Sequence, residues 1–113
     1  MRTLIKNGTL CSAGQIYKGD ILIEEGVISK IGTSLSDEAE MVIDAQNKYV
    51  LPGGVDVHTH FDLQAGASRA VDDFYDGSVA AICGGTTTIV DHLAFGPKGC
   101  SLKYQIDEYH KLA

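Results

Sequence analysis

The sequence predicts an α/β chain in two parts, strands first and then strand and helix in alternation. Three observations carry that prediction. Up to about residue 51, short apolar runs alternate with Gly-, Asn- and acid-containing turns. Pro52-Gly53-Gly54 then breaks the pattern. Beyond it come an apolar strand, a capped helical segment, a β-branched run and a second helical stripe.

In the first part, Leu4-Ile5 precede Asn7-Gly8, a strong hairpin-type turn signal. Asn7-Gly8-Thr9 also matches a glycosylation sequon, but no secretory signal accompanies it and it reads as a turn. Residues 20–23 run to Glu24-Glu25-Gly26, and residues 27–31 return to Gly32, two short strands around a tight turn. The polar, acidic residues 33–40 read as a loop. Residues 41–44 and 49–51 read as a further strand pair around Gln46-Asn47-Lys48. Residues 1–51 are therefore expected to form one β portion and residues 52–113 a second domain.

Residues 55–60 read as the first strand of that second part, and two histidines close it. Side chains two apart on a strand share a face, so His58 and His60 project together and Thr59 projects the other way. Alone, a His-x-His is most often a pair of ordinary surface or core histidines. Here Val55 and Val57 argue for a buried strand, and Asp56 shares the face of His58 and His60. Three polar groups entering an interior together are costly without partners, and a metal with its supporting shell would satisfy them. Asp56 is the candidate for orienting an imidazole.

Residues 61–71, with Gly66, Ala67 and Ser68, form a loop directly after the histidines, either bordering a ligand or serving as a connector. Asp72 or Asp73 caps a helix to about Cys83, with Phe74, Val79 and Ile82 on its apolar face and Gly84-Gly85 at its end. The β-branched residues 86–90 suit a buried parallel strand, making a β-α-β unit with a right-handed crossover. A phosphate loop is set aside, because no Gly-Lys-Ser/Thr follows Gly84-Gly85 and these glycines come after a helix. Asp91-His92 closes the second strand, either as ligands or as a supporting, core-lining pair. Gly96-Pro97-Lys98-Gly99 is a turn. Leu102, Ile106, Tyr109 and Ala113 then recur at helical spacing, with His110 on the solvated side.

A net charge of −6 disfavours nucleic acid and anionic membrane surfaces as partners. No apolar run approaches the roughly 20 residues of a membrane span, and the first residues lack a signal-peptide core. Cys11, Cys83 and Cys100 show no CxxC spacing and read as free thiols, which points to a cytoplasmic protein.

The stretch from Gly53 through Val55-Asp56-Val57-His58-Thr59-His60 resembles the signature of the metal-dependent amidohydrolases. Asp72-Asp73-Phe74-Tyr75 with Gly77, then Ala80-Ala81, then Gly84-Gly85-Thr86-Thr87-Thr88-Ile89-Val90-Asp91-His92, narrow the likeness to the dihydropyrimidinases and hydantoinases. The resemblance runs along essentially the whole chain. It implies the N-terminal part of a small β-sandwich over 1–51, followed by the first β-α-β-α units of a (β/α)8 TIM-like barrel over 52–113. Such a barrel takes about 250 residues, so a 113-residue chain is expected to be an N-terminal fragment.

In barrels of this kind the active site lies on the loops after the strands. The resemblance accordingly puts residues 61–71 beside the substrate's exocyclic pocket. It makes His58 and His60 ligands of one metal in a binuclear zinc site. A carbamylated lysine, two further histidines and a proton-shuttling aspartate are expected beyond Ala113, which leaves Asp91-His92 a supporting pair. The implied reaction opens dihydropyrimidine or hydantoin rings to N-carbamoyl amino acids, in a protein that tends towards tetramers. Metal chemistry suits that task, since a cyclic amide resists water at neutral pH and a bound metal supplies a stronger nucleophile. Two imidazoles fall short of the roughly three protein ligands of a catalytic zinc, so this chain alone is expected to be inactive. Allantoinase or dihydroorotase share His-x-His but fit Asp72-Asp73-Phe74-Tyr75 less well. Non-catalytic dihydropyrimidinase-like interaction proteins resemble the chain too, but typically lack the intact metal pair.

Overall fold

The computed structural model describes residues 1–113, which divide into two compact units, Met1–Pro52 and Gly53–Ala113. The first unit is a five-stranded sheet. Its strands are β1 (Arg2–Ser12), β2 (Gln15–Glu24), β3 (Val27–Gly32), β4 (Met41–Asp44) and β5 (Tyr49–Val50). The order is β3-β2-β1-β4, with β5 also on β1. Both hairpins turn on two residues at positive φ, Ala13-Gly14 and Glu25-Gly26, as a type I′ turn requires. The Glu25-Gly26 turn lies where the sequence puts it.

Two expectations for this unit need correcting. Asn7-Gly8 is not a turn, because β1 runs straight through it. The pairing with β2 shifts between Ile5 and Gly8, which makes a bulge, and Asn7 sits at φ 62 inside it. Asn tolerates the left-handed region, and turns and bulges both exploit that tolerance. The Asn7 amide donates to Asp20 Oδ1 at 2.7 Å, and its side chain donates to Asp44 Oδ1 at 2.9 Å. The chain reverses six residues later instead. Secondly, β4 and β5 do not pair with each other. Both lie parallel to β1, end to end along its length, with Thr3 opposite Met41 and Thr9 opposite Tyr49. Ala45 to Lys48 form a step closed by the Lys48 amide on the Ala45 carbonyl, 3.0 Å, which offsets the chain without reversing it.

The core of this unit is small: Leu4, Leu10, Ile21, Leu22 and Ala45, with Leu22 wholly enclosed. Asp20 is buried among them, and its two oxygens take the Asn7 and Leu35 amides. That pairing removes the cost of an unmatched buried carboxylate and pins the loop after β3 to the bulge in β1.

The second unit is built on β6 (Gly54–Thr59) and β9 (Thr86–Asp91), paired in parallel. Between them come a small antiparallel hairpin, β7 (Gln64–Ala65) and β8 (Ser68–Arg69), and helix α1 (Phe74–Cys83). The hairpin lies inside the stretch expected to be plain loop. The helix starts as expected: the Asp73 side chain accepts from the Asp76 amide at 2.8 Å. It ends at Gly84-Gly85, with Gly85 at φ 85. Gly53 lies so close to Thr87 that a side chain there would collide with it, which lets β6 enter tightly against β9. Helix α2 (Leu102–Tyr109) follows a turn at residues 97–100 and is capped by Ser101. No helix is long and apolar enough to cross a membrane.

Within these 113 residues little packs over the strands of this unit. Val55 and Val57 are exposed, and so are Asp56, His58 and His60 on the opposite face. β6 pairs with β9 alone, and Val79 and Ile82 on α1 stay largely exposed. β-branched composition reports a fit to a pleated surface, while burial depends on what packs over it.

Candidate functional site

The two histidines singled out by the sequence do converge. Period-two alternation along β6 turns both rings to one face, and their Nε2 atoms lie 3.1 Å apart. The rings meet edge to face at 5.0 Å between centroids. Thr59 points the other way, as expected, and its hydroxyl donates to Asp91 Oδ1 at 2.5 Å.

A third imidazole joins them from β9. The His92 ring stacks on His58 at 4.2 Å and 17° between planes. Its Nε2 lies 3.2 Å from the Val57 carbonyl, which fixes that nitrogen as a donor. His60 Nδ1 lies 3.2 Å from the His92 carbonyl oxygen. That contact places Nδ1 as the donor to the carbonyl and turns His60 Nε2 towards His58. One proton bridges two nitrogens that close together, and a cation can take its place.

The geometry fits a metal. Two nitrogens on one zinc at about 2.0–2.1 Å and tetrahedral angles lie about 3.3 Å apart. The His60 ring is also held as ligating histidines are, by a backbone carbonyl on the other nitrogen. No group of three or more His, Cys, Asp or Glu side chains is placed to hold an ion. The two imidazoles are thus the only paired nitrogens at this strand end, two donors rather than a complete ligand set. Asp56, the expected orienter, does not reach a ring nitrogen: its carboxylate accepts from the His58 backbone amide at 3.1 Å.

Asp91 is the residue the sequence undervalues. Its Oδ1 accepts from Thr59 Oγ1 and from the Phe61 amide at 3.0 Å, and its Oδ2 accepts from the Tyr109 hydroxyl at 2.9 Å. Burial pushes the Asp91 carboxyl up, but the bonds from Thr59, Tyr109 and Phe61 and the nearby His60 outweigh it and leave it below its ordinary value. Burial and the Asp91 charge push Tyr109 up to about 12, so it stays a donor. The only hint in the sequence is Asp91 next to His92 at a strand end.

Aromatic packing closes the network. Phe61 meets Phe74 edge to face at 5.9 Å, and Phe74 meets Tyr109 likewise at 5.1 Å. Phe61 also lies against Gly77. Beside the histidines, a pocket of about 240 Å³ is lined by Phe61, Asp62, Arg69, His92 and Leu112 among others. One wall is the β7–β8 segment. Arg69 pairs with the buried Asp62, the Asp62 amide donates to Asp72 O at 2.9 Å, and the Ala70 amide donates to Leu63 O at 2.8 Å. His110, at the C-terminal cap of α2, is exposed, as expected. Cys11, Cys83 and Cys100 are free.

The chain is similar to known proteins in sequence and in backbone fold. The chain is 51% identical to the D-phenylhydantoinase of Escherichia coli, over all of its own length and 25% of that protein. It superposes on a D-hydantoinase crystal structure with a TM-score of 0.93 and 44% identity, covering 100% of this chain and 24% of that one. It matches the dihydropyrimidinase of Brevibacillus agri with a TM-score of 0.93 and 42% identity, at the same coverage. The chain thus spans about a quarter of the length of the relatives it matches. The profile of the amidohydrolase family matches residues 49–112, from β5 through the histidine pair to just beyond α2. A match over more than half of its residues, on the segment that carries both histidines, establishes that the chain belongs to the amidohydrolase family.

Proposed function

We propose that this chain is part of a hydrolase that opens cyclic amides, dihydropyrimidine or hydantoin rings, to N-carbamoyl amino acids. The observation that carries the reading is the His58–His60 pair, with Nε2 atoms facing each other at 3.1 Å on a strand end. The identity with a D-phenylhydantoinase along the whole chain supports the substrate class. In this reading residues 1–51 belong to a small β-sandwich and residues 52–113 open a (β/α)8 barrel. His58 and His60 hold one zinc of a binuclear site. The full protein works as a cytoplasmic tetramer, and the free cysteines accord with a reducing compartment.

When bound, such a metal supplies a nucleophile stronger than water and polarises the amide carbonyl. The chain's own residues orient the pair and shape its surroundings. The His92 carbonyl sets the His60 tautomer, and the His92 ring braces His58. The hairpin wall with Asp62 and Arg69 flanks the pocket beside His92 and presents its polar edge to a ring substituent.

The test is ring opening of hydantoin and dihydrouracil by the full natural protein, with His58→Ala and His60→Ala beside it. Each substitution is expected to lower turnover by at least about 100-fold and to release metal. Turnover that survives both substitutions would end the reading. The 113-residue chain, supplied with zinc, is expected to show no turnover above a His58→Ala control, because two imidazoles do not complete a catalytic site.

A further inference from the structure

We infer that Asp91 is a positioning residue for the metal-binding strand, holding the backbone on both sides of His60 so that the two imidazoles aim at one point. The inference rests on the reading of His58 and His60 as metal ligands. It starts from where the Asp91 bonds land. Thr59 and Phe61 are the immediate neighbours of His60, and both donate to the same oxygen, Oδ1. The other oxygen takes Tyr109 from α2. Three donors occupy most of what a carboxylate can accept, so Asp91 is engaged as a clamp.

The clamp acts at the point of greatest need. β6 ends at Thr59, so His60 lies beyond the last strand residue, where chains fray. A functional metal site tolerates errors of only about 0.5 Å and 10–20° in its ligands. Thr59 also stands opposite Asp91 across the parallel pair, and the His92 amide donates to Thr59 O at 2.9 Å. The end of β9 therefore grips the end of β6 by backbone and side chain together. Tyr109 extends the grip to α2, and its contact with Phe74, which meets Phe61, returns it to the residue after His60. The circuit runs from Phe61 through Asp91, Tyr109 and Phe74 back to Phe61.

The experiment uses the full natural protein, stripped of metal by chelation. Asp91→Ala, Asp91→Asn, Thr59→Val and Tyr109→Phe are compared with the parent and with His58→Ala and His60→Ala. Zinc affinity is read by competition with a chromophoric chelator, ligand geometry by the visible spectrum of the cobalt-substituted protein, and stability by the Tm of the metal-free form. Asp91→Ala is expected to weaken zinc binding by about 10- to 100-fold and to shift the cobalt bands, with Asp91→Asn and Thr59→Val intermediate. Zinc affinity within about twofold of the parent, with unchanged cobalt bands, overturns the inference whatever happens to Tm. If Asp91→Ala does not fold, Asp91→Asn and Thr59→Val decide by the same criterion. If the parent takes up no zinc, or binds it equally well without His58 and His60, the ligand reading fails and the inference falls with it. If only the histidine variants lose zinc, the ligand reading stands and the inference alone is overturned.

Discussion

The ring of Phe61 lies where a side chain on Gly77 would have to stand. Gly77 is the buried residue of α1, and Phe61 is the residue after His60. The helix therefore approaches the histidine strand backbone first. Gly77→Ala gains about 1 kcal/mol of helix propensity but forces the Phe61 ring aside, an overpacking cost of about 1–3 kcal/mol. A net loss of stability is expected in chemical denaturation. Combining it with Phe61→Leu should recover part of that loss, and a strictly additive double mutant would show that the two residues do not interact.

Asp20 makes a second dependence testable. Its buried carboxylate joins the Asn7 amide in the β1 bulge to the Leu35 amide in the following loop, at 2.7 and 2.8 Å. Asp20→Ala strands both donors and is expected to cost about 1–3 kcal/mol. Asp20→Asn keeps one acceptor and should cost less. Equal losses for the two variants would mean that the amides find water instead.

Asp62 predicts an acid-side transition in the loop. The hydrogen bond from Arg69 holds its carboxyl below the ordinary value of 3.8, with burial opposing and the Arg69 charge assisting. A depressed folded value means that the contribution to stability is complete above the unfolded pKa and is lost as pH falls through the folded one. Hydrogen-exchange protection at the Asp62 and Ala70 amides should therefore hold from neutral pH down to about 4 and fall below it. Arg69→Ala should flatten that step. An unchanged acid-side profile in Arg69→Ala would assign the loss of protection to other groups.

Local chemistry was legible in the sequence and distant chemistry was not. Glu25-Gly26, the Asp73 cap and the Gly84-Gly85 stop act within a few residues, and each lies where it was expected. The facing of His58 and His60 follows from strand alternation alone. Asn7-Gly8 misled because one backbone preference serves both a turn and a bulge, and the choice is made by β2, out of local view. The pairing of β4 and β5 with β1 likewise depends on partners some 40 residues away. Asp91 gathers donors 32, 30 and 18 residues distant, and no local pattern announces them.

Two backbone bonds fasten the hairpin at its base, below its own short ladder. Asp62 to Asp72 and Leu63 to Ala70 close the segment below β7 and β8, while Gly66 and Ala67 at the tip are exposed and carry none of that closure. The segment is thus divided into an anchor and an interchangeable cassette. Residues 64–68 can be lengthened, shortened or grafted from a relative while the fastening below them remains. A designer seeking to reshape the pocket beside His92 has five consecutive codons to work with, and the backbone bonds of Asp62, Leu63, Ala70 and Asp72 lie outside them.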